Sequence, residues 1–515
     1  MANFSKLIHD IVPIWAFIFF ASILVGVIYA AQLLGFSLLD ESLFNAMTTR
    51  SLHITLMLYG PVMLALSLLP FALFAKDGLS LESAVAPMRN YFLLWHLFLL
   101  MATVSISLGS QRGLAFYDFA YELNFLLAAS GIFYIIAIFK TIKQYEVQPT
   151  WVKVSKLILF VAPISLVILM NPSFGQVEKT ISGPHGDNTL GMSFTLMPLF
   201  YLMIKLHTQV KDFRSRLNIF WIVPLVAYAL SVSIRIFRGE LSYNEEWVFQ
   251  WMTFLYAPTL LIWLHDAKLT LKKAPYLVIS VWAFLFVMIE GNILFIPEIR
   301  WLFHRNDLIV AHAHVAIGLG IFFMALSVLS YFYSLPHKFA HFWNYVIALI
   351  FVSLSIAGFT EAGYINISID SMWWVRLIAG IMALAGLAYY IFQAMKLSSK
   401  LSLLQWYHLN GFASDGLGAL LLFIMGPSLF ALLDFHFTPY YYLIFGFMGF
   451  VGILHLIGIN KEPHLFAHLT SIARLITGTV FFALFYNGTI DNLGLFVSLY
   501  DLGYGLLYLL FAKRL

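Results

Sequence analysis

Apolar runs long enough to cross a bilayer recur along the whole sequence, and this feature constrains the fold most. A membrane-spanning helix needs about 20 apolar residues, and each run reaches roughly that length. Lipid offers backbone groups no hydrogen-bond partners, so only helices and closed barrels cross it, and barrel strands would alternate in polarity. The chain has 61% hydrophobic and 10% charged residues, whereas a soluble domain has about 25% charged residues. We predict an all-α polytopic transmembrane helix bundle.

The runs predict sixteen spans. They lie near 11–33, 51–75, 90–110, 119–140, 155–172, 189–207, 216–237, 247–265, 274–293, 308–332, 342–362, 373–395, 413–433, 439–458, 468–486 and 494–511. The first run has full span length and lacks a small-residue cleavage site, so we predict a span rather than a cleaved signal.

Basic residues indicate how the spans are oriented. Most of the 29 Lys and Arg residues fall in alternate loops and at both termini. The positive-inside rule then predicts that both termini are cytoplasmic and that the protein lies in the inner, cytoplasmic membrane. The net charge of +4 is spread over many loops, so we expect membrane lipid and no nucleic acid as a partner.

Cysteine is absent from the sequence. This excludes disulfides, iron–sulfur clusters, thiolate copper centres and a covalently attached c-type haem. Any redox centre must use histidine, carboxylate, methionine or tyrosine.

Three histidines lie just inside the outer ends of predicted spans: His53, His312 and His314. Residues two apart on a helix point about 200° from each other, so His312 and His314 cannot serve one site together. They can hold two different cofactors, and neutral imidazole is a common axial ligand of haem iron. The alternative is a set of buried histidines bonded to neighbouring carbonyl or hydroxyl groups. We favour ligands because polar groups within a membrane are costly and are usually functional.

These segments resemble the catalytic subunits of the heme–copper oxidases, above all the cbb-type cytochrome c oxidases and their nitric oxide reductase relatives. The strongest likeness is AHAHVAIG at 311–318, which resembles the family's histidine motif of span ten. Further similar segments follow in the family's order: RSLH at 50–53, FVMIEGNILFIPEIRWLFHRNDL at 286–308, HFW at 341–343, AGFTEAGYI at 357–365 and VRLIAG at 375–380. The resemblance covers roughly residues 40–400.

The resemblance implies a division of the chain and a haem content. Residues 1–400 would form a twelve-span haem-binding core like subunit I of the oxidases, and residues 401–515 a C-terminal module of about four spans. His53 and His314 would be the axial ligands of a low-spin b-type haem. His312 would be the proximal ligand of a second, high-spin haem.

The resemblance also assigns charged residues around the haems. Arg50 and Arg376 would lie near haem propionates, because a guanidinium neutralises carboxylates well. Glu290 would be the buried carboxylate near the haem edge and a candidate catalytic residue. Its alternative role is that of a hydrogen-bonded structural acid.

The chain departs from the family where copper should bind. Span seven, NIFWIVPLVAYALSVSIRIFRGE, contains no histidine, and Ser233 and Ile234 stand where the family has an adjacent histidine pair. Tyr228 lies one residue from the expected tyrosine and is a second catalytic candidate. In span six, Asp187 stands where the remaining copper histidine would be, and His185 precedes it by two residues. His185 and Asp187 are weak candidates for a second metal, and we predict that copper is absent.

Two single charges, Arg474 and Asp501, lie in the last two predicted spans. We predict that they pair across helices, as a structural lock or as a small polar pathway.

The sequence is compatible with three functions. The first is an oxidoreductase that carries electrons from a quinol or a partner cytochrome through two haems, with oxygen or nitric oxide reduction as the family's activity. The resemblance also implies partner subunits. The second is a non-catalytic haem sensor or assembly partner. The third is a proton-coupled transporter that uses the histidines and Glu290 as a proton path.

Overall fold

Long helices account for nearly all of the structure. The computed structural model describes residues 2–36, 44–112, 118–149, 151–153, 156, 159, 186–210, 219–239, 241–294, 296, 298, 300–303, 306–394, 402–432, 437–488, 490 and 492–511. It is 83% helical, and its described part contains no strand. Eleven of the described helices are long and apolar enough to cross a membrane. The chain is therefore an all-α, multi-pass membrane protein, as predicted.

The chain packs as two units. The first comprises Met1–Gly35 and Ala46–Ala394, and the second comprises Phe36–Asn45 and Met395–Leu515. The division after residue 394 lies near the expected boundary at 400. Of the described residues, Phe36, Phe44 and Asn45 group with the second unit, although the sequence division placed them in the core.

The first unit has eleven labelled helices, α1 to α11. They are α1 (Ala2–Leu33), α2 (Ala46–Lys76), α3 (Val85–Ser107), α4 (Leu123–Ile142), α5 (Gly186–His207), α6 (Ile219–Arg238), α7 (Tyr243–Asp266), α8 (Pro275–Leu294), α9 (Asp307–Leu329), α10 (His337–Glu361) and α11 (Ile369–Ala394). Each coincides with a predicted span. The fifth predicted span, 155–172, lies almost wholly outside the described residues.

Close helix contacts in this unit depend on glycine. Helix α1 packs against α2 and α11, and α10 packs against α9 and α11. A Cβ atom on Gly380 of α11 would lie 2.6 Å from the Val27 side chain of α1. A Cβ atom on Gly358 of α10 would lie 2.6 Å from the backbone nitrogen of Leu308. Small residues let membrane helices approach each other closely, so these glycines fix the ends of α1 and α9 against their neighbours.

Both helices that carry the predicted histidine ligands contain a π-helical turn, at Leu58–Val62 in α2 and at Ala316–Ile321 in α9. Such a turn removes regular backbone bonds, and the freed carbonyls need other donors in lipid. The indole of Trp95 donates to the Tyr59 carbonyl at 2.6 Å. The indole of Trp343 donates to the Gly318 carbonyl at 3.0 Å. Neighbouring helices therefore stabilise both irregular turns.

The second unit has four labelled helices. They are α12 (403–432), α13 (Tyr441–Gly458), α14 (Pro463–Tyr486) and α15 (Asn492–Phe511). Helix α12 contains a π-helical turn at Phe412–Leu417. Helix α13 packs against α12 and α14, and α14 packs against α15. A Cβ atom on Gly452 would lie 2.3 Å from the Gly416 backbone, so α13 and α12 meet with almost no side chain between them.

Candidate histidine site of the first unit

His53 and His314 are held in the same chemical state. The Nδ1 atom of His53 lies 2.7 Å from the Ser22 carbonyl oxygen, and that of His314 lies 2.9 Å from the Val310 carbonyl oxygen. A carbonyl only accepts hydrogen bonds, so both Nδ1 atoms carry the proton. In the neutral ring Nε2 then has a free lone pair. Among the described residues neither Nε2 has a hydrogen-bond partner, so both atoms are available to a metal.

Helix α1 fixes the position of His53. The Ser22 hydroxyl donates to the backbone carbonyl of His53 at 3.0 Å, while its own carbonyl accepts from the ring. One turn further, Gly26 faces the imidazole, and a Cβ atom there would lie 2.7 Å from Nδ1. Only glycine leaves room for the ring at this position, so His53 cannot move toward α1.

His314 lies close enough to His53 and Arg376 to be influenced by them electrostatically. Both imidazoles are half-buried although they lie within long apolar spans. The structure therefore brings together the two residues that we predicted to share one cofactor.

His312 has different neighbours, as its spacing from His314 predicts. Its Nδ1 is hydrogen-bonded to the Glu290 carboxylate of α8. Gly291 adjoins the ring, and a Cβ atom there would lie 2.9 Å from Cε1 of His312. The second carboxylate oxygen of Glu290 is buried and has no hydrogen-bond partner in the described part of the chain. Glu290 is thus a bonded acid, and it also orients the predicted ligand.

Two buried amides next to this pair were not found from the sequence. Gln250 of α7 donates to the Gly291 carbonyl at 3.2 Å. Asn292 of α8 donates to the Thr253 hydroxyl at 3.1 Å. Both amide oxygens are buried without a partner among the described residues. The sequence does show Gln250 and Asn292 as polar residues within apolar spans. It does not show which neighbours these side chains contact.

Arg376 pairs with a half-buried acid and keeps spare donors. Its Nη2 is hydrogen-bonded to the Asp307 carboxylate, and its guanidinium carbon lies 3.7 Å from the ring centroid of Trp373. The Nε and Nη1 atoms are buried and have no hydrogen-bond partner within the described chain. Tyr29 lies within electrostatic reach of both Arg376 and Asp307. The guanidinium can therefore donate to an additional anion.

Arg50 is arranged similarly at the start of α2. Its Nη2 lies 3.9 Å from the carboxylate of Asp118, which is buried. The same carboxylate accepts from the Ser51 hydroxyl at 2.5 Å and from the Arg112 backbone at 2.7 Å. The Nε atom of Arg50 is buried and without a partner among the residues described.

The candidates for a second metal cannot be placed. His185 lies outside the described residues, as does the side chain of Asp187. Tyr228 is half-buried on α6, and the Ser233 hydroxyl bonds to the Ala229 carbonyl at 2.8 Å. Among the described residues no group of three or more His, Asp or Glu side chains could hold a metal ion. The absence of copper stays a prediction.

The donor set around His53 and His314 fits an iron porphyrin. A haem needs one nitrogen ligand on each face and hydrogen-bond donors for its two propionates. Two Nε2 atoms without partners and two arginines with spare N–H groups meet those needs. No protein-family model and no curated protein sequence matches this chain. The resemblance to the heme–copper oxidases therefore rests on the motifs and on the residues within them.

Proposed function

We propose that the chain is a membrane haem protein of the cytochrome oxidase subunit I type. A low-spin b-type haem would be held by His53 and His314, and a second, high-spin haem by His312. When bound, haem supplies one-electron chemistry between ferric and ferrous iron. The chain would carry electrons from a quinol or a partner cytochrome through these two groups.

One observation carries the proposal: two imidazoles from separate spans, each anchored through Nδ1 to a backbone carbonyl, lie near each other with Nε2 free. Metal-bound histidine commonly donates its other N–H group to a carbonyl or carboxylate, which fixes the ring and raises its basicity. His53 and His314 use carbonyls, and His312 uses the Glu290 carboxylate.

The arginines support the same proposal. A buried binding site for two propionates needs positive charge, because unpaired carboxylates are costly in a low-dielectric bundle. Arg376 is already paired with Asp307, yet two of its nitrogens remain unbonded among the described residues. Arg50 has one such nitrogen. These atoms would orient and neutralise the propionates.

Glu290 has a separate role in this proposal. Its bond to Nδ1 of His312 holds the ring in one orientation, and its second oxygen is buried without a partner among the described residues. The role of Glu290 in the proposal is to fix the orientation of the His312 ring.

We limit the proposal to electron transfer. Respiratory reduction of oxygen or nitric oxide in the family needs histidine ligands for a second metal, and α6 has Ser233 and Ile234 where the adjacent pair would stand. An electron carrier or a haem sensor needs no such metal. We propose no copper in this chain.

The first experiment is a reduced-minus-oxidised spectrum of the purified protein, with carbon monoxide added in a second measurement and with metal analysis. We expect two b-type haems, of which one binds carbon monoxide, and no stoichiometric copper. A protein without b-type haem contradicts both haem functions and leaves the proton-coupled transporter. If haem is present but no electron donor reduces it on the time scale of turnover, the result favours the haem sensor. Stoichiometric copper contradicts the proposed absence of a second metal.

The proposed location is the inner membrane, with both termini in the cytoplasm. The chain has no cysteine, so a single introduced cysteine reports on its own position. Lys143→Cys, after α4, should react with an impermeant thiol reagent only from the cytoplasmic side. Tyr364→Cys, between α10 and α11, should react only from the outer side. The opposite pattern contradicts the orientation.

A further inference from the structure

A buried polar cluster lies within the second unit, and it has no role in the proposed haem function. It comprises His408 and Asp415 of α12, His455 of α13, Arg474 of α14 and Asp501 of α15. Both histidines are fully buried, and Asp415 and Arg474 are 5% and 2% exposed. Ionisable groups inside a membrane bundle are costly and are usually functional.

The charges of this polar cluster do not balance. Arg474 donates through Nη2 to Asp415 at 2.5 Å and through Nη1 to Asp501 at 2.8 Å. The predicted pairing of Arg474 with Asp501 is thus confirmed, and Asp415 is a third member. One guanidinium faces two carboxylates, so the fully ionised group carries one excess negative charge. A low-dielectric interior disfavours such an excess and favours the uptake of one cation.

The two histidines form a hydrogen-bonded chain whose proton positions follow from their partners. Nε2 of His408 lies 2.7 Å from the carbonyl oxygen of Pro463. That oxygen only accepts, so Nε2 of His408 carries a proton and its Nδ1 does not. Nδ1 of His455 lies 3.1 Å from Nδ1 of His408. His455 must therefore be the donor in this bond.

This chain leaves Nε2 of His455 without a proton in the neutral ring. The atom is buried and has no hydrogen-bond partner among the described residues. It lies 3.8 Å from the nearer carboxylate oxygen of Asp415. A lone pair thus faces a carboxylate, and two acceptors repel each other. One proton between them removes the repulsion and also removes the excess negative charge.

The packing leaves room for a proton but not for a larger cation. A Cβ atom on Gly411 would lie 2.4 Å from Nε2 of His455, and one on Gly458 would lie 2.4 Å from Cε1 of His408. Each glycine therefore packs directly against the histidine of the opposite helix. A metal ion would need several ligands at about 2 Å or more, which this contact does not allow.

We propose that Asp415 and His455 form a proton-binding site within the membrane, and that His455 and His408 connect it to the bundle end at Pro463. To release the proton, Asp415 passes it to Nε2 of His455, the Nδ1 proton of His455 moves to Nδ1 of His408, and the Nε2 proton of His408 leaves at the Pro463 end. Uptake runs in the reverse order and restores the ring protonation described above. Pro463 begins α14, next to exposed Lys461 and Glu462, so water reaches this end.

Other titratable groups surround the site on every packed helix. Helix α12 contributes Tyr407, α14 contributes Arg474 and His464, and α15 contributes Asp501, Tyr504 and Tyr508. Arg474 lies 4.2 Å from the ring centroid of Tyr504. These groups set the local field, but only Nε2 of His455 combines full burial, a missing partner and a facing carboxylate.

The test is infrared difference spectroscopy of the full-length protein between high and low pH. Wild type should show one buried group that gains a proton, either as a carboxylic acid or as an imidazolium. Asp415→Asn should abolish that signal. His455→Gln should shift its midpoint by about one pH unit or more, a tenfold change in proton affinity. His265→Gln is the matched control, because that side chain is 89% exposed.

A pH-difference spectrum that is the same in wild type, Asp415→Asn and His455→Gln overturns the proposal. If Asp415→Asn does not fold, His455→Gln alone decides, since it keeps the ion pair of Asp415 with Arg474. The connection is tested by His408→Gln, which should keep the signal but slow its appearance after a pH jump by about tenfold or more. An unchanged rate contradicts the role of His408. None of these results depends on haem.

Discussion

Glu290 of α8 accepts a hydrogen bond from Nδ1 of His312, 22 residues further along the chain. From the sequence, Glu290 was predicted as a separate carboxylate and His312 as a haem ligand. The bond joins the two. If His312 holds a haem as proposed, a change at residue 290 would act on the iron through the ring of His312. Glu290 and His312 would then act as one unit.

We expect Glu290→Gln to weaken binding of the second haem by about tenfold to a hundredfold, the usual effect of losing an outer partner of a metal ligand. The neutral amide no longer stabilises the Nδ1 proton of His312, so the ring becomes a poorer ligand. Haem titration followed by the carbon monoxide difference spectrum measures this. Glu82→Gln is the control, because Glu82 is exposed and bonds to Asn3. Equal binding in both variants contradicts the role of Glu290.

Gly26→Ala should displace His53. The added Cβ atom would lie 2.7 Å from Nδ1 of His53, which is closer than van der Waals contact. The histidine must therefore move away from Ser22. We expect loss of the low-spin spectrum while the carbon monoxide signal of the second haem remains. Gly446→Ala is the matched change, since its Cβ atom would meet nothing within 4 Å, and it should leave both spectra intact. A normal low-spin spectrum in Gly26→Ala shows that α1 does not position His53.

Arg376→Gln should destabilise the protein, because it leaves the Asp307 carboxylate uncompensated. Breaking one side of a buried ion pair costs about 3–5 kcal/mol. The apparent free energy of unfolding in mixed detergent measures the loss. The double variant Arg376→Gln with Asp307→Asn removes both charges and should recover most of the stability but not the low-spin haem. A double variant that recovers both contradicts a role for Arg376 in holding propionates.

Lys76 ends α2 and stabilises the end of α5. Its ammonium donates to the carbonyl oxygens of Lys205 at 2.6 Å, Leu206 at 2.9 Å and Thr208 at 2.8 Å. Lys76→Met should cost about 1–3 kcal/mol, since hydrogen bonds to charged groups are among the stronger ones. Faster hydrogen exchange in residues 205–210 would locate the effect. Lys140→Met, at an exposed position of α4, should change neither quantity.

The predicted spans agree with the described helices because span length and composition are local properties of the sequence. The candidate histidines of the first unit, His53, His312 and His314, were identified from short motifs, and their role as haem ligands stays a prediction. The partners of the site residues were not identified. Packing between helices brings Asp307 to Arg376, Asp118 to Arg50 and Ser22 to His53. Apolar spans of similar composition do not reveal which helices pack together. The π-helical turns were missed for the same reason.

The pair of His408 and His455 was missed although a signal was present. The sequence reads HLNG at 408–411 and HLIG at 455–458, so each histidine precedes a glycine by three residues. In the structure each glycine packs against the other histidine. The repeat is too short to be specific by itself, and the sequence separation of 47 residues between the histidines hides the contact.

The central claim is that three histidines hold two different haems, and haem content with spectra for two single variants tests it most directly. We expect two b-type haems in wild type. His53→Ala should lose the low-spin haem and keep the one that binds carbon monoxide, and His312→Ala should show the reverse. The exposed His341→Ala should keep both. Wild type without haem, or the same loss in both variants, would contradict the account.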